Sequence, residues 1–314
     1  MFKKMKAIQY IDFGKSDVIQ LTNVIKPEPK QGEVMIKVKA LSVNPVDIKI
    51  RVGSLQDSRP VQLPFIPGLD AAGVVEKIGE GVSRIKVGDR VVATAYNGTY
   101  AEYACFSEQH VSIIPVSIDF ENAAAASIGL ITAYTFLQER GKIGVGTRVL
   151  INGAGGGTGT VVLQMAKALG AYVVCVDSYA SIKLLKSLGA DEAIDYKKQV
   201  ISEVTKNIDL VIDFVGRDSQ SECFKVLKKG GQLLSAFSMP SKELAAKYDV
   251  ESDFVIASLS RENLDYGLQK MDEKKITPII RKVMPLQRAA AAQDLLSKGG
   301  LNGKIILKPA DLLL

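Results

Sequence analysis

A single histidine, His110, and three widely spaced cysteines, Cys105, Cys175 and Cys223, are all the chain offers of the strong transition-metal ligands. An odd, scattered trio of cysteines argues against a disulfide framework and a cysteine-rich metal site. No window approaches the roughly 18–20 uninterrupted apolar residues of a membrane span. The start, MFKKMKAIQY, lacks the apolar stretch that a signal peptide carries. A cytoplasmic protein with no membrane partner is the expectation. Basic clusters are missing too: the net charge is +6, yet the lysines are dispersed, with only short groups such as Lys197-Lys198 and Lys228-Lys229. Nucleic-acid binding asks for clustered charge with aromatics interleaved, so no nucleic-acid partner is expected. A mildly basic surface suits an anionic cofactor. There is no internal repeat and no low-complexity segment, and the run Ala289 to Ala292 reads as a helix face. What remains is an ordinary globular composition, 47% hydrophobic and 24% charged, with 314 residues giving room for two domains.

The chain is organised around Val149 to Gly170, VLINGAGGGTGTVVLQMAKALG. Val149-Leu-Ile151 has no polar face, as a fully buried parallel strand requires. Asn152 to Gly159 then places five glycines in eight positions, and from Thr160 the apolar residues recur at helical spacing. Strand, glycine turn and helix together give a glycine fingerprint its meaning. A phosphate needs bare backbone N–H groups at a helix N-terminus, and a Cβ there would block its approach. The fingerprint reads Ala154-x-Gly156-x-x-Gly159, with Gly153-x-x-Gly156-x-x-Gly159 overlaid. A second strand, Tyr172 to Val176, ends on Asp177, close to the ~20-residue offset at which an acid meets an adenosine ribose. Ala193-Ile194, Leu210 to Asp213 and Leu233-Leu234 follow, with helical stretches between, which predicts a right-handed doubly wound sheet. The competing reading is a flexible glycine loop in an α/β domain that binds no nucleotide.

The first 120 or so residues read differently. Met5 to Tyr10, Val18 to Leu21, Glu33 to Leu41, Ala72 to Ile78 and Arg90 to Thr94 alternate or run apolar between Pro, Gly and Asn punctuation. This predicts a separate, barrel-like β domain over 1–121. A helix over Asn122 to Arg140 leads into the nucleotide domain, 122–258, with Phe254 to Ala257 as a sixth strand. Arg261 to Lys274 and Ala289 to Lys298 read as helices. Gly303 to Lys308 is a strand with no neighbour left in the sheet, so residues 259–314 are assigned back to the first domain.

The order of MKAIQY, Asn44-Pro-Val-Asp47 with Arg51 and Gly53, Pro67-Gly-Leu-Asp-Ala-Ala-Gly73, Val87-Gly-Asp-Arg90, the alanine-rich helix, the glycine turn and Gly303-Lys-Ile-Ile-Leu307 resembles the medium-chain dehydrogenase/reductase superfamily. Within it the chain looks like the zinc-free quinone oxidoreductase and enone reductase branch. The resemblance implies a GroES-like catalytic domain split around a Rossmann domain, an NADPH or NADH cofactor, a small-molecule substrate and a homodimer. Catalytic zinc wants three ligands drawn from Cys, His and carboxylate. Where the family's alcohol dehydrogenases carry theirs, this chain places Asn44, Leu69 and Ile128. His110 reads as a surface or half-buried strand residue.

Without a metal, the cofactor brings the chemistry and the protein orients it. Hydride reaches an electron-poor carbon, and the charge developing on the acceptor's carbonyl oxygen must be met by donors. Asn44, Asp47, Lys49 and Tyr96 are the catalytic candidates by resemblance. An i,i+4 surface ion pair is the bland alternative for Asp47 and Arg51, and a solvated lysine for Lys49. Gly153, Ala154, Gly156, Gly157, Thr158 and Gly159 are expected around the pyrophosphate, Thr132 at the nicotinamide end, Val215, Gly216 and Phe237 at the sheet's C-terminal edge, and Lys304 reaching in from the tail. Asp177 favours a free 2′-hydroxyl, whereas Ser178, Tyr196 and nearby Lys183 suit a phosphate. Ser181 stands where the family's phosphate-gripping lysine is expected, so NADH is slightly favoured. An NAD(P)H-binding protein with little turnover, structural or RNA-binding like some crystallin relatives, is the alternative function.

Overall fold

The computed structural model describes residues 3–309. The alternating segments of the first third form strands: β1 (Lys4–Tyr10), β2 (Ile19–Ile25), β3 (Glu33–Ser42), β4 (Asp70–Ile78), β5 (Arg90–Thr94), β6 (Tyr103–Ser107) and β7 (Val111–Ile113), with helix α1 (Pro45–Arg51) after β3. Helix α2 (Phe120–Tyr134) continues into a π-helical stretch, Thr135–Arg140, in which the Gly141 N–H donates to the Phe136 carbonyl. The expected helix to Arg140 is therefore α-helical only to Tyr134. Alternation then gives way to β8 (Arg148–Asn152), α3 (Gly157–Ala168), β9 (Tyr172–Asp177), α4 (Tyr179–Ser187), β10 (Glu192–Asp195), α5 (Ile201–Val204), β11 (Ile208–Asp213), α6 (Ser219–Val226), β12 (Leu227–Ser235), α7 (Lys242–Tyr248) and β13 (Glu251–Phe254). The described residues close with α8 (Arg261–Asp272), β14 (Ile280–Pro285), α9 (Ala289–Ser297) and β15 (Lys304–Lys308).

These elements fall into two compact units. One comprises the described residues up to Ile128, Leu259–Leu268, and those from Ile280 on; the other comprises Gly129–Ser258 and Gln269–Ile279. In the first, the strands run in the order β14-β15-β3-β4-β5-β7, with β6 also on β3 and β1-β2 as a separate hairpin. The tail strand returns as expected: β15 pairs antiparallel with β3, Ile306 opposite Ser42. Ile36, Val38, Leu41, Val91, Phe106, Ile305 and Leu307 fill this core.

The second unit is a parallel sheet in the order β10-β9-β8-β11-β12-β13, which crosses over at β8, the strand before the glycine turn. Ligands of open α/β sheets bind at such a switch point, beyond the carboxyl ends of the strands. Val149, Leu150, Ile151, Val173 and Val174 are fully buried, which is why these strands carry no polar face. The sixth strand lies three residues earlier than expected. The apolar run after Phe254 misleads, because Ile256 is 75% exposed, while the polar Glu251–Phe254 is the edge strand that pairs with β12.

Candidate active site

The glycine turn of the second unit is built from inside and open outside. Gly153 has φ +83°, and a Cβ there would lie 2.9 Å from Val215 Cγ2. At Gly159 a Cβ would meet the Gly153 carbonyl oxygen at 2.6 Å, so this glycine lets α3 pack on its strand. Gly156 differs. Its φ of −66° suits any residue, and a Cβ would find nothing nearer than the Gly153 oxygen at 3.6 Å. Nothing inside the protein asks for glycine at Gly156, whereas a phosphate approaching the first turn of α3 does. Gly157 and Thr158 form that first turn, and Ala154 is fully buried beneath it. The cradle fits a dinucleotide pyrophosphate.

Asp177 ends β9 beside this turn. Its Oδ2 accepts from the Gly155 N–H (2.7 Å), and its Oδ1 from the Ser178 N–H (2.7 Å) and the Ser181 hydroxyl (2.7 Å). Ser181 is fully buried, so a short side chain stands there for packing and for holding the acid. Tyr196, at the end of β10, donates its N–H to the Asp177 carbonyl at 3.2 Å. Tyr179 and Tyr196 expose their rings, with Lys198 Nζ 4.8 Å from the first ring centre and Lys197 Nζ 6.0 Å from the second.

At the end of β11, buried Asp213 accepts from the N–H groups of Val215 (3.0 Å) and Gly216 (2.9 Å), from Asn152 Nδ2 (2.9 Å) and from Gln220 Nε2 (3.1 Å). It fixes the loop that carries both expected residues. A Cβ on Gly216 would strike Phe237 at 2.6 Å, so these two are neighbours. Arg217, with φ +57°, lays its guanidinium carbon 5.4 Å from the Phe237 ring centre. Thr132 is buried in α2.

In the first unit, the polar candidates form a buried network. Asn44 caps α1: its N–H donates to Asp47 Oδ2 (2.8 Å) in a capping box. Its Nδ2 donates to Asp70 Oδ2 (3.1 Å) and Ser42 Oγ (3.2 Å), and its Oδ1 accepts from Lys304 Nζ (2.6 Å). Lys304 also donates to Ser42 Oγ (3.2 Å), and Asp70 accepts from the Ser42 N–H (2.7 Å) and hydroxyl (2.6 Å). The Tyr100 hydroxyl donates to Asp47 Oδ2 (2.9 Å), and the Tyr10 hydroxyl to the Asp47 carbonyl (3.1 Å). Burial pushes the Asp47 carboxyl up to about 7, drives that of Asp70 above the usual range, and drives the Lys304 ammonium below its own.

The bland reading of Asp47 and Arg51 is thereby overturned: both are buried, and Arg51 donates instead to the Gly14 carbonyl (3.2 Å) and to Gln293 Oε1 (2.9 Å). Lys49 is half-buried on the same helix, and Tyr96 is 58% exposed after β5. His110 is half-buried in a short 3-10 turn rather than a strand. The sequence reading missed Ser42, Asp70, Tyr10 and Tyr100. Asp70 had one signal, a lone acid in the apolar string Ile66 to Val75. Among the described residues, no group of three or more His, Cys, Asp or Glu is placed to hold a metal, and Asn44 spends its amide on its neighbours.

Residues 30–116 match the alcohol dehydrogenase GroES-like domain, and residues 188–307 match a family described as zinc-binding dehydrogenase. The chain is 34% identical to a 2-methylene-furan-3-one reductase of Solanum lycopersicum, over 98% of itself and 79% of that protein. It is 33% identical to a quinone oxidoreductase of Rattus norvegicus, over 97% of itself and 98% of the relative. The solved structure of Escherichia coli quinone oxidoreductase complexed with NADPH superposes with a TM-score of 0.89 at 27% identity, covering 97% of this chain and all of that one. The chain belongs to the medium-chain dehydrogenase/reductase superfamily, in its quinone oxidoreductase and enone reductase branch.

Proposed function

We propose that this oxidoreductase transfers a hydride from NADH or NADPH to a quinone or an α,β-unsaturated carbonyl, without zinc. The observation that carries the reading is the open Cβ direction at Gly156 on the first turn of α3, together with relatives named for quinone and enone reduction. A bound nicotinamide supplies the hydride. Gly153 to Gly156 shape the turn and spend their own N–H groups on Val176, Asp177 and Gly153. The pyrophosphate is therefore held on the first-turn N–H groups of Gly157, Thr158 and Gly159, with Thr132, Val215, Gly216 and Phe237 bounding the rest of the cofactor and Lys304 supporting from the tail. Asp177 receives the adenosine ribose. Three short hydrogen bonds hold its carboxyl group beside the glycine turn, which supports a preference for a free 2′-hydroxyl.

Asn44 and Asp47 hold α1 in place, so that Lys49 and Tyr96 can meet the charge growing on the acceptor's carbonyl oxygen. Zinc has no ligand set at Asn44, Leu69 and Ile128, which supports direct transfer. The working protein is taken to be cytoplasmic, the default its composition gives, and a homodimer, as the family resemblance implies; light scattering on the eluting peak checks the dimer. Loss of the cofactor's near-ultraviolet absorbance with a quinone and enone panel, before and after chelation, tests the function. Turnover that survives chelation is expected, and turnover that requires added zinc overturns the reading. A binding protein without turnover would take up the cofactor and leave every acceptor unreduced.

A further inference from the structure

Arg59 sits in the turn-rich segment between α1 and β4. That segment rests with Leu55, Val61 and Leu63 on Tyr10, Ile50 and Phe65. Gln56 ties its neck: Nε2 donates to the Val61 carbonyl (2.9 Å), and Oε1 accepts from the Val61 N–H (3.2 Å). A cationic side chain on so anchored a loop is presented at a fixed place. The guanidinium carbon lies 5.5 Å from the centre of the Tyr96 ring, whose face attracts a cation. Arg59 Nη2 is sealed from solvent and has no hydrogen-bond partner. The carboxyl whose field reaches it is that of Asp47, but no hydrogen bond joins the two, and Asp47 Oδ1 is itself buried and unpartnered.

A half-buried guanidinium with an unanswered donor is unfavourable as it stands, because desolvation penalises its charge. Burial accordingly lowers the pKa of Arg59. Asp47 is the carboxyl that favours the charged form of Arg59, but burial raises its own carboxyl to about 7, so near neutrality it offsets that charge only in part. A planar, bidentate donor of this kind matches a planar or tetrahedral oxyanion, where a lysine would offer only a point charge.

We propose that Arg59, held against Tyr96, is a specificity-determining residue of the acceptor site in the first unit, and that it grips an oxyanion, a carboxylate or sulfonate, carried by the quinone or enone. This rests on the reductase reading above. The acceptors preferred are then acidic ones, and neutral analogues of the same ring bind less well.

The test compares a naphthoquinone sulfonate with its neutral methyl analogue as acceptors, and measures calorimetrically the binding of a naphthalene sulfonate, which cannot be reduced, to the full chain. Arg59→Gln is expected to raise the KM ratio of the sulfonate to the neutral quinone by about 10- to 100-fold, the range of a charge-assisted hydrogen bond. It should weaken naphthalene sulfonate binding by a similar factor. Arg59→Lys should fall between, and in the unmodified chain the sulfonate's KM should climb with salt. An unchanged ratio together with unchanged sulfonate affinity overturns the proposal, even if both quinones are reduced. Arg59-dependent sulfonate binding without reduction of either quinone upholds the anion site and refutes the reductase reading instead. Should Arg59→Gln fail to fold, Arg59→Lys and the salt dependence decide, and a KM indifferent to both counts against the site.

Discussion

Replacing Lys304 by Met is expected to destabilise the first unit severely, and to be rescued by a second substitution. The ammonium is buried, donates to Asn44 Oδ1 at 2.6 Å and Ser42 Oγ at 3.2 Å, and offsets the charge of Asp70. Without it, Asp70 keeps its three hydrogen bonds from Ser42 and Asn44 but becomes a buried charge with no cation beside it. Removing one member of a buried pair costs about 3–5 kcal/mol. For a unit of this size each kcal/mol lowers Tm by roughly 2–4 °C, so a fall of about 6–20 °C is expected. Asp70→Asn alone leaves the ammonium facing a neutral amide and should cost about 2–4 kcal/mol. The double variant removes both charges and should retain most of the native stability, giving a coupling of at least about 2 kcal/mol. Calorimetry of the four proteins supplies the cycle. Single losses that simply add, within about 0.5 kcal/mol, would refute the pairing of these two side chains.

Asp177→Ser should shift the kcat/KM ratio toward NADPH over NADH by at least about tenfold, since a like charge near a 2′-phosphate is removed; an unmoved ratio means that this carboxylate does not meet the ribose. Gly156→Ala should weaken cofactor binding at least about tenfold while unfolding stability moves by no more than ~0.5 kcal/mol, because its Cβ meets only ligand space. Gly159→Ala, whose Cβ would press on a carbonyl oxygen at 2.6 Å, should instead destabilise the fold itself, by about 1–3 kcal/mol. Asp47, raised to about 7 by burial, holds a proton in the folded chain that the unfolded chain has released. Its contribution is therefore full below the unfolded value of 3.8 and is lost as pH rises through about 7, so stability should decline between those two values and level off above them. Asp47→Asn should flatten that slope in urea titrations, and an unaltered slope would assign it to other groups.

Much of this was legible from residue order alone. The apolar run before the glycines and the helical spacing after them each report a local rule, and the strand and the helix form where those rules put them. The returning tail was legible because a sixth-strand sheet had no place for Gly303 to Lys308. What stayed hidden depends on contacts between distant segments. Lys304 and Asn44 meet only because β15 lies against β3, and nothing in either segment announces the other. Arg59 looks like any loop arginine until its sealed Nη2 is seen. The π-helical end of α2 and the polar edge strand β13 escaped for a related reason: periodicity cannot register a shifted hydrogen bond, and an edge strand needs no apolar face.

The most direct test follows the hydride. Chelator-treated protein is supplied with NADH or NADPH deuterated on the transferring face of nicotinamide C4, in ordinary water, with a simple enone as acceptor. The account expects the label on the β-carbon of the saturated product and protium beside the carbonyl. Reduction that leaves the β-carbon unlabelled with either face deuterated, or that resumes only when zinc is restored, would contradict it.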